Sequence, residues 1–241
     1  AYFRNKMTRP ENPADIAIYM LGADHSGYVG RLKAIAQILG YRTEQIEVMI
    51  GQLVNLVKDG KHVRMSKRAG NVVTLEDLVE AVGVDAARYE LIRYSVDSTI
   101  DIDLDLLVQK SSDNPVYYVQ YAHARTAAVE RNAIDAGVHL ADGVDTGLLN
   151  TPADTELLAV LGQYPATVRT AAEFYEPHRM SRYLENLAAA YHSWYGLSRV
   201  APKGDEPVTD LHRTRLLLNN ATRQVLANGL GLLGVTAPER M

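Results

Sequence analysis

The sequence predicts an α/β segment over residues 1–110 followed by an all-α domain over residues 111–241. Before residue 110, short apolar runs typical of strands alternate with helical patterns, whereas beyond it the apolar residues recur almost wholly at helical spacing. A length of 241 residues with 47% apolar composition is enough for one or two domains with ordinary cores. We therefore expect two domains of different architecture.

The composition excludes several classes of function. The chain has no cysteine, so disulfides, thiolate chemistry and cysteine-based zinc sites are excluded. No stretch reaches the run of about 20 apolar residues that a membrane-spanning helix needs, and the first residues lack the layout of a signal peptide, which favours the cytoplasm. The seven histidines show no metal-ligand spacing, so we expect no metal site.

The charge distribution is more informative than the charge sum. The formal net charge is -4, which weighs against a nucleic-acid partner unless a local patch overrides it. Beyond residue 110, ten of the eleven basic residues are arginine, the side chain best suited to phosphate contacts and to stacking on bases. Before it, one basic cluster is opposed only by Asp59 and consists of Lys58, Lys61, Arg64, Lys67 and Arg68.

A strand, a loop and a helix are predicted near the start of the chain. The apolar run 16–21 ends at Gly22, and a helical pattern follows from about Tyr28 to Leu39. Ligands usually bind beyond the carboxyl ends of parallel strands, which makes Asp24 and His25 candidate binding residues. The alternative is that Asp24 caps the helix and that His25 is an ordinary surface residue.

The basic cluster falls between a predicted hairpin and a predicted helix. Asp59-Gly60 supplies a turn after the apolar-rich segment 47–57, which is typical of a β-hairpin. Farther along, Thr74 and Asp77 resemble a capping box for a helix over 75–82 that Gly83 can end. The residues between these elements are therefore expected to form a loop.

That loop contains Arg64-Met65-Ser66-Lys67-Arg68, which resembles the KMSKS loop of class I aminoacyl-tRNA synthetases. The alternative is a solvated charged turn. The resemblance implies that Lys67 is catalytic, because a loop that closes over ATP would place this lysine near the leaving pyrophosphate and stabilise charge in the transition state. Arg64 and Arg68 stand where the family often has lysine and serine.

The resemblance narrows to the arginyl-tRNA synthetases over nearly the whole chain. It rests on four blocks: Gly22 to His25, Arg64 to Thr74, Asn114 to Arg125 and Ala237 to Met241. It implies the C-terminal part of a class I (Rossmann-like) catalytic domain over 1–110 and an all-α helical-bundle anticodon-binding domain over 111–241. The implied ATP-binding residues are Gly22, Asp24, His25, Arg64, Met65, Ser66, Lys67 and Arg68.

The activity that the resemblance implies is ATP-dependent ligation of arginine to tRNA(Arg). ATP enters as a substrate together with Mg, no tightly bound cofactor is implied, and neither a membrane nor DNA is an implied partner. No HIGH-like His-x-Gly-His motif is present in the sequence. We therefore expect that the parent enzyme is longer than this chain, which would be its inactive C-terminal portion.

The helix that starts at Asn114-Pro115 carries the candidate RNA-binding residues. Tyr118, Tyr121 and Arg125 fall at i, i+3 and i+7, which puts two aromatic rings and a guanidinium on one helical face, as suits unpaired bases. The alternative is that these tyrosines pack into a bundle core. The resemblance implies that they face the anticodon loop.

Two more helices complete the predicted domain. One spans about His178 to Ser198, and its apolar stripe is expected in the core: Met180, Tyr183, Leu184, Leu187 and Tyr191. By resemblance, Tyr195 and Arg199 near its end face the anticodon, with Met241 nearby. The last helix runs from about Thr209 to Leu233, and burial is expected for Leu216, Leu217, Val225 and Leu226.

The alternating carboxylates Asp101, Asp103 and Asp105 have two interpretations. They could bind a hard cation, but an extended segment with one polar face explains them without a ligand and is favoured. Two other functions also stay open beside the ligase. One is a noncatalytic, synthetase-derived tRNA-binding or RNA-binding module, and the other is a helical protein-interaction domain.

Overall fold

The computed structural model describes residues 1–63, 74–140 and 144–241. The chain forms two compact units, and each unit is built from two separate stretches of the chain. The first comprises Ala1–Leu56 and Tyr94–Ile102, and the second comprises Val57–Arg93 and Asp103–Met241. The domain boundary near residue 110 stays a prediction.

The first unit contains the predicted strand and helix, which follow a short helix that was not predicted. Its elements are α1 (Tyr2–Thr8), β1 (Ala17–Gly22), a 3-10 helix (Ala23–Tyr28), α2 (Val29–Ile38) and β2 (Ile46–Gly51). The strands β1 and β2 pair in parallel, with Ala17 opposite Ile46 and Gly22 opposite Gly51. Phe3, Met7, Ala36 and the paired residues Ala17 and Ile46 form the core. The strand and helix predictions are confirmed, while the loop between them is helical.

The strand β3 (Val54–Lys58) leads from the first unit into a hairpin of the second unit. In the second unit it pairs antiparallel with β4 (Lys61–His62), and the turn residues Asp59 and Gly60 have φ angles of 51° and 68°. Two consecutive positive φ angles are what a tight hairpin turn requires. The hairpin prediction is thus confirmed up to residue 63, where the first described segment ends.

The capping box predicted for the next helix is present. The helix α3 (Leu75–Val82) begins at the Thr74 cap, whose hydroxyl oxygen accepts the Asp77 N–H at 3.2 Å. Gly83, at φ 84°, ends it and starts α4 (Val84–Ile92). A left-handed φ favours glycine, so the sequence determines this break between the two helices.

The aspartates at positions 101, 103 and 105 lie in two different elements. In β5 (Ile100–Asp103) the isoleucines are buried and Asp101 and Asp103 are exposed, as strand alternation predicts. Asp105 lies instead in the short helix α5 (Leu104–Leu107), so the extended prediction was wrong there. The reason is that Asp103 caps α5 by accepting the N–H groups of Asp105 and Leu106 at 3.0 and 3.1 Å.

Besides a 3-10 helix (Thr146–Leu148), the rest of the described part of the second unit contains five longer helices. They are α6 (Pro115–Asp135), α7 (Pro152–Gly162), α8 (Tyr164–Glu173), α9 (His178–Leu197) and α10 (Asp210–Leu233). The apolar stripe of α9 is buried as predicted, as are Leu216 and Leu226 of α10, but Leu217 is exposed and Val225 only partly buried. Both departures occur because α10 buries one stripe and leaves its other side to solvent.

Hydrogen bonds of buried polar groups determine how these helices pair. The Tyr191 hydroxyl donates to Asn219 Oδ1 at 2.8 Å, and Asn219 Nδ2 donates to the Thr126 carbonyl at 3.0 Å, which links α9, α10 and α6. The Trp194 indole donates to Asp154 Oδ1 at 2.8 Å and links α9 to α7. Because unpaired buried polar groups are costly, these bonds favour one arrangement of the helices.

Among the helices described, none is long and apolar enough to cross a membrane.

Candidate nucleic-acid interface

The helix α6 starts at a cap that fixes its position. Asn114 Oδ1 accepts the Tyr117 N–H at 3.4 Å, and its Nδ2 donates to the carbonyls of Leu107 and Gln109, each at 2.8 Å. Pro115 occupies the first turn, where its missing N–H costs nothing. The start of α6 is therefore tied to the chain that precedes it.

One face of α6 reaches solvent while the others are covered. Val119, Ala122 and Thr126 are buried, whereas Tyr121 is 36% exposed and Arg125 is partly buried. The predicted face is thus exposed at Tyr121. The alternative that Tyr118 and Tyr121 both pack into the bundle core does not describe Tyr121, while Tyr118 is partly buried.

Arg125 joins three aromatic side chains. Its guanidinium donates to the Tyr121 hydroxyl at 2.8 Å and to His192 Nδ1 at 3.0 Å. It also lies 4.6 Å from the ring centroid of Tyr121 and 5.1 Å from that of Tyr195. Such contacts hold the charged group over aromatic faces, so that less side-chain entropy is lost when a ligand binds.

The hydrogen bond from Arg125 requires His192 Nδ1 to be an unprotonated acceptor. Burial, followed by the nearby Arg125 charge, lowers the pKa of His192 to about 4. The imidazole is therefore neutral near pH 7. Its ring also contacts that of Tyr118, with centroids 5.0 Å apart, and burial raises the pKa of Tyr118.

Two stacked tyrosine pairs extend the surface on either side. The rings of Tyr117 and Tyr121 are 5.9 Å apart and 7° from parallel. The rings of Tyr191 and Tyr195 are 6.3 Å apart, and Tyr195 is 42% exposed while Tyr191 is buried. Each exposed tyrosine is thus backed by a second ring that limits its rotation.

Two grooves flank this surface. One, of about 480 Å³, has Tyr195 at its side and is further lined by Tyr121, Arg125, Arg131, Asn132, Arg240 and Met241. The other, of about 470 Å³, is lined by Lys110, Ser111, Ser112, Tyr117, Tyr118, Tyr121, Arg125 and His192. Because Tyr121 and Arg125 line both grooves, we call this pair the Tyr121–Arg125 ridge. Basic side chains line both grooves, and Glu239 is the one acidic residue among those that line the first.

The predicted residues do not all come together. Tyr118, Tyr121, Arg125 and Tyr195 do, and Met241 lines the first groove. Arg199 lines neither groove and instead pairs with Glu206 at 3.2 Å. The helix α9 ends at Leu197, with Ser198 extended, so Arg199 is not one helical turn beyond Tyr195 as its spacing had suggested.

Several lining residues were not predicted from the sequence. Tyr117 had a usable signal, since it precedes Tyr121 by four residues on the same helix. No such sequence signal existed for four other lining residues, because their places depend on how α6, α9 and the segment after α10 pack. These residues are His192, Arg131, Arg240 and Lys110.

Three of the predicted ATP-binding residues lie within the described part of the chain. Gly22 ends β1, and Asp24 and His25 follow in the exposed 3-10 helix, with 3.5 Å between Asp24 Oδ2 and His25 Nδ1. Asp24 makes no side-chain cap, so the capping alternative is not observed. A Cβ on Gly22 would lie 2.8 Å from Asp24 Oδ1, which is too close. The remaining predicted residues lie outside the described residues: Arg64, Met65, Ser66, Lys67 and Arg68.

The described ranges contain no group of three or more histidine, aspartate or glutamate residues arranged to hold a metal ion. The three aspartates considered as a cation site have separate local partners. Asp101 accepts from the Asn55 amide at 2.8 Å, Asp103 caps α5, and Asp105 accepts the Asp59 N–H at 2.6 Å. These contacts within the protein agree with the favoured interpretation, in which the three aspartates do not bind a cation.

A helical bundle that carries the Tyr121–Arg125 ridge between two grooves lined by basic side chains offers the stacking faces and positive charge that suit single-stranded RNA. Residues 119–241 match the family model described as the DALR anticodon binding domain. The chain belongs to this family. The family assignment confirms the prediction of a helical anticodon-binding domain.

The chain is also similar to proteins named as arginine-tRNA ligases. It is 60% identical over 242 aligned residues to the arginine-tRNA ligase of Kineococcus radiotolerans, covering 100% of the chain and 43% of that protein. It matches a crystal structure from Campylobacter jejuni whose name assigns it to the arginyl-tRNA synthetases, at 30% identity and a TM-score of 0.83, with 100% and 50% of the two chains covered.

A third similarity shows the fold alone. The arginyl-tRNA synthetase structure from Thermus thermophilus is 24% identical, with a TM-score of 0.76, and the match covers 95% of this chain and 42% of that one. The resemblance inferred from the sequence motifs is confirmed by these relatives. The chain spans no more than about half the length of the relatives it matches.

Proposed function

We propose that this chain is part of an arginine-tRNA ligase and that its helical unit binds the anticodon loop of arginine tRNA. The observation that carries the proposal is the Tyr121–Arg125 ridge, because it presents an exposed ring and a fixed cation between two grooves. The family assignment and the 60% identity to an arginine-tRNA ligase support it.

The chemistry of an anticodon loop suits this surface. Unpaired bases expose faces that stack on aromatic rings and edges that accept and donate hydrogen bonds. In the proposed interface, Tyr121 and Tyr195 supply stacking faces, Tyr118 lines the second groove, and Arg125 and Met241 line the first. Arg199 would contact the RNA outside both grooves, on the side of its partner Glu206.

The test compares a tyrosine of the ridge with an exposed aromatic residue elsewhere in the same unit. Stacking on one aromatic ring is worth about 1 to 3 kcal/mol, so Tyr121→Ala should weaken binding of a tRNA(Arg) transcript by about tenfold. Phe174 is exposed and lines neither groove, so Phe174→Ala should leave the affinity unchanged. Filter binding at one fixed salt concentration measures both variants.

Two controls connect this result with the anticodon. Tyr121→Ala must retain the helical circular-dichroism signal and the thermal transition of the parent chain, which excludes loss of the fold. The same tRNA with its middle anticodon base replaced should bind more weakly than the native transcript. Equal affinities for the two tRNAs would exclude the anticodon as the bound element.

We further propose that the complete enzyme activates arginine with ATP, which Mg accompanies, in the cytoplasm. Gly22, Asp24 and His25 lie at the carboxyl end of β1, the usual ligand position in parallel sheets. Lys67 is the proposed catalytic residue. The other residues of the motif would complete the ATP-binding loop: Arg64, Met65, Ser66 and Arg68. The carboxylate of arginine attacks the α-phosphorus of ATP and pyrophosphate leaves, and the Lys67 ammonium would stabilise the negative charge that develops on the leaving group.

The second candidate function is a noncatalytic RNA-binding module derived from a synthetase. The described interface favours it as much as it favours the ligase, because both use the Tyr121–Arg125 ridge. Aminoacylation by the product of the full open reading frame separates the two. Arginine attached to tRNA(Arg) by that protein would establish the ligase, and its absence together with tRNA binding would establish the module.

A further inference from the structure

The segment after α10, residues 234–241, is irregular but tightly held. Gly234 ends α10 in the left-handed region, at φ 68° and ψ 32°, and reverses the chain direction. The Val235 N–H then donates to the Leu230 carbonyl at 3.0 Å, and the Val235 side chain is buried. This helix ending directs the segment back along the bundle.

Thr236 is the first anchor point of the segment. Its N–H donates to Asp85 Oδ1 at 3.2 Å, and its hydroxyl donates to Asp85 Oδ2. Gln120 of α6 donates through Nε2 to the Thr236 carbonyl at 2.9 Å and to Asp85 Oδ2 at 2.8 Å. Three residues from α4, α6 and the segment are therefore joined in one network.

His123 of α6 provides the second anchor. Its Nδ1 lies 2.8 Å from the Pro238 carbonyl, and because a carbonyl can only accept, Nδ1 carries the proton. The side chain is 3% exposed, and this burial lowers the pKa of His123 against the opposing effect of the carbonyl. The ring is thus a neutral donor near pH 7 that is almost wholly covered by the protein.

Glu239 is the third anchor point. Its carboxylate pairs with Arg223 of α10, which also pairs with Glu130 of α6. The Arg131 guanidinium donates to the Glu239 carbonyl at 3.4 Å. The two residues that follow, Arg240 and Met241, line the first groove together with Tyr121 and Arg125.

We propose that Gln120 and His123 are positioning residues for RNA binding, because they fix residues 236–239 and thereby place Arg240 and Met241 as one wall of the first groove. The helix α6 determines both walls, since its exposed side carries Tyr121 and Arg125 and its buried side holds the segment. This proposal rests on the proposed function and assigns a role to two side chains that do not contact the RNA.

If His123 only stabilised the fold, its replacement would weaken binding whether or not the groove wall is present. A double-mutant cycle separates this structural role from the positioning role. His123→Phe keeps a ring of similar size but leaves the Pro238 carbonyl without its donor. One lost hydrogen bond to a partly buried acceptor should weaken tRNA(Arg) binding by about tenfold through misplacement of the wall. In an Arg240→Ala, Met241→Ala background the wall is already lost, so the same substitution should change the affinity by less than about twofold.

Two further variants test the same role. The first asks whether a replacement donor restores tRNA affinity, and the second asks whether affinity falls in a variant that keeps its fold. His123→Asn places an amide donor near the position of Nδ1 and should recover most of the affinity. Thr236→Val removes a hydroxyl at an exposed position and should weaken binding by about threefold without unfolding the protein. Thermal unfolding is measured for every variant, and filter binding at fixed salt gives the affinities.

The results that would overturn the proposal are distinct from those that would overturn anticodon binding. An equal effect of His123→Phe in both backgrounds would show a general loss of structure, and full affinity of the Arg240→Ala, Met241→Ala variant would show that the segment is no wall of the site. Full affinity of Tyr121→Ala would instead refute the proposed function. If Tyr121→Ala weakens binding while His123→Phe and Thr236→Val do not, the positioning role alone is wrong.

Discussion

At the scale of single residues, the protonation of His192 determines whether Arg125 keeps its place. The Arg125 guanidinium can donate to His192 Nδ1 only while that nitrogen is unprotonated. A protonated imidazole beside a guanidinium would lose this hydrogen bond and add like-charge repulsion. The ridge is therefore assembled around a histidine that stays neutral over the physiological pH range.

A pH dependence of stability follows. The folded-state pKa of His192, about 4, lies below the ordinary value of 6.5, so the unfolded chain binds more protons between these values. The stabilisation is complete above about pH 6.5 and is lost as the pH falls toward 4, with a change of about 1 to 3 kcal/mol in the free energy of unfolding. Urea unfolding across this range measures it.

The matched variants are His192→Gln and His139→Gln. Glutamine retains an acceptor for Arg125 but does not titrate, so His192→Gln should flatten part of the pH dependence. The remainder comes from His123 and His212, whose pKa values are also lowered, chiefly by burial, and toward pH 4 from Glu206, whose pKa is lowered chiefly by the Lys203 N–H. His139 is exposed, so its replacement should leave the profile as it is. Identical profiles for all three proteins would contradict the assigned role of His192.

At the scale of helices, α10 passes close to α9 at Gly229. A Cβ at this position would lie 2.6 Å from Leu184 Cδ2 and 3.2 Å from its Cγ. Leu184 is fully buried in α9, so it cannot move aside without disturbing its neighbours. Gly229 therefore determines the spacing of the two helices that carry Tyr191 and Asn219.

Alanine substitutions at two glycines of α10 test this close approach. Gly229→Ala should destabilise the chain by about 1 to 3 kcal/mol, because an added methyl group overpacks the contact with Leu184. Gly231 has open space at its Cβ position, so Gly231→Ala should stabilise the chain by about 0.5 to 1 kcal/mol through helix propensity. Urea unfolding of both variants measures the difference. Similar effects of the two substitutions would contradict the close-approach argument.

Local signals in the sequence predicted the element boundaries well. Thr74 with Asp77, Asn114 with Pro115, and Asp59 with Gly60 act within a few residues, so the sequence alone determines the helix starts and the turn. Contacts between elements were not predictable in this way. His192 on α9 meets Arg125 on α6 only after the helices pack, and Arg199 leaves its predicted face because α9 ends two residues earlier.

At the scale of the whole protein, the proposed amino-acid activation chemistry and the proposed anticodon contact belong to different stretches of chain. The proposed catalytic Lys67 lies in the motif 64–68, whereas the Tyr121–Arg125 ridge belongs to α6. The resemblance predicted the residues of both proposed sites from the sequence, but the first groove is also lined by residues of the segment after α10. Substitutions in the two places should therefore affect different steps of one reaction.

Lys67→Ala provides the last prediction. In the protein encoded by the full open reading frame, loss of one preorganised charged donor should lower arginine-dependent ATP–pyrophosphate exchange by about 100 to 1,000 fold, or about 3 to 4 kcal/mol of transition-state stabilisation. The exchange is measured with saturating tRNA(Arg), and the affinity for tRNA(Arg) should change by less than about twofold.

The matched control is Lys61→Ala, which removes an exposed positive charge from the same basic cluster but lies in β4 outside the motif. Its exchange rate should stay near that of the unmodified enzyme, because a charge outside the motif has no fixed position at the leaving group. Tyr121→Ala should show the converse of Lys67→Ala, with weakened tRNA affinity and near-normal exchange once the tRNA is saturating. Unchanged exchange in Lys67→Ala would remove this lysine from the mechanism, and equal losses in Lys67→Ala and Lys61→Ala would reduce its role to general electrostatic attraction of ATP.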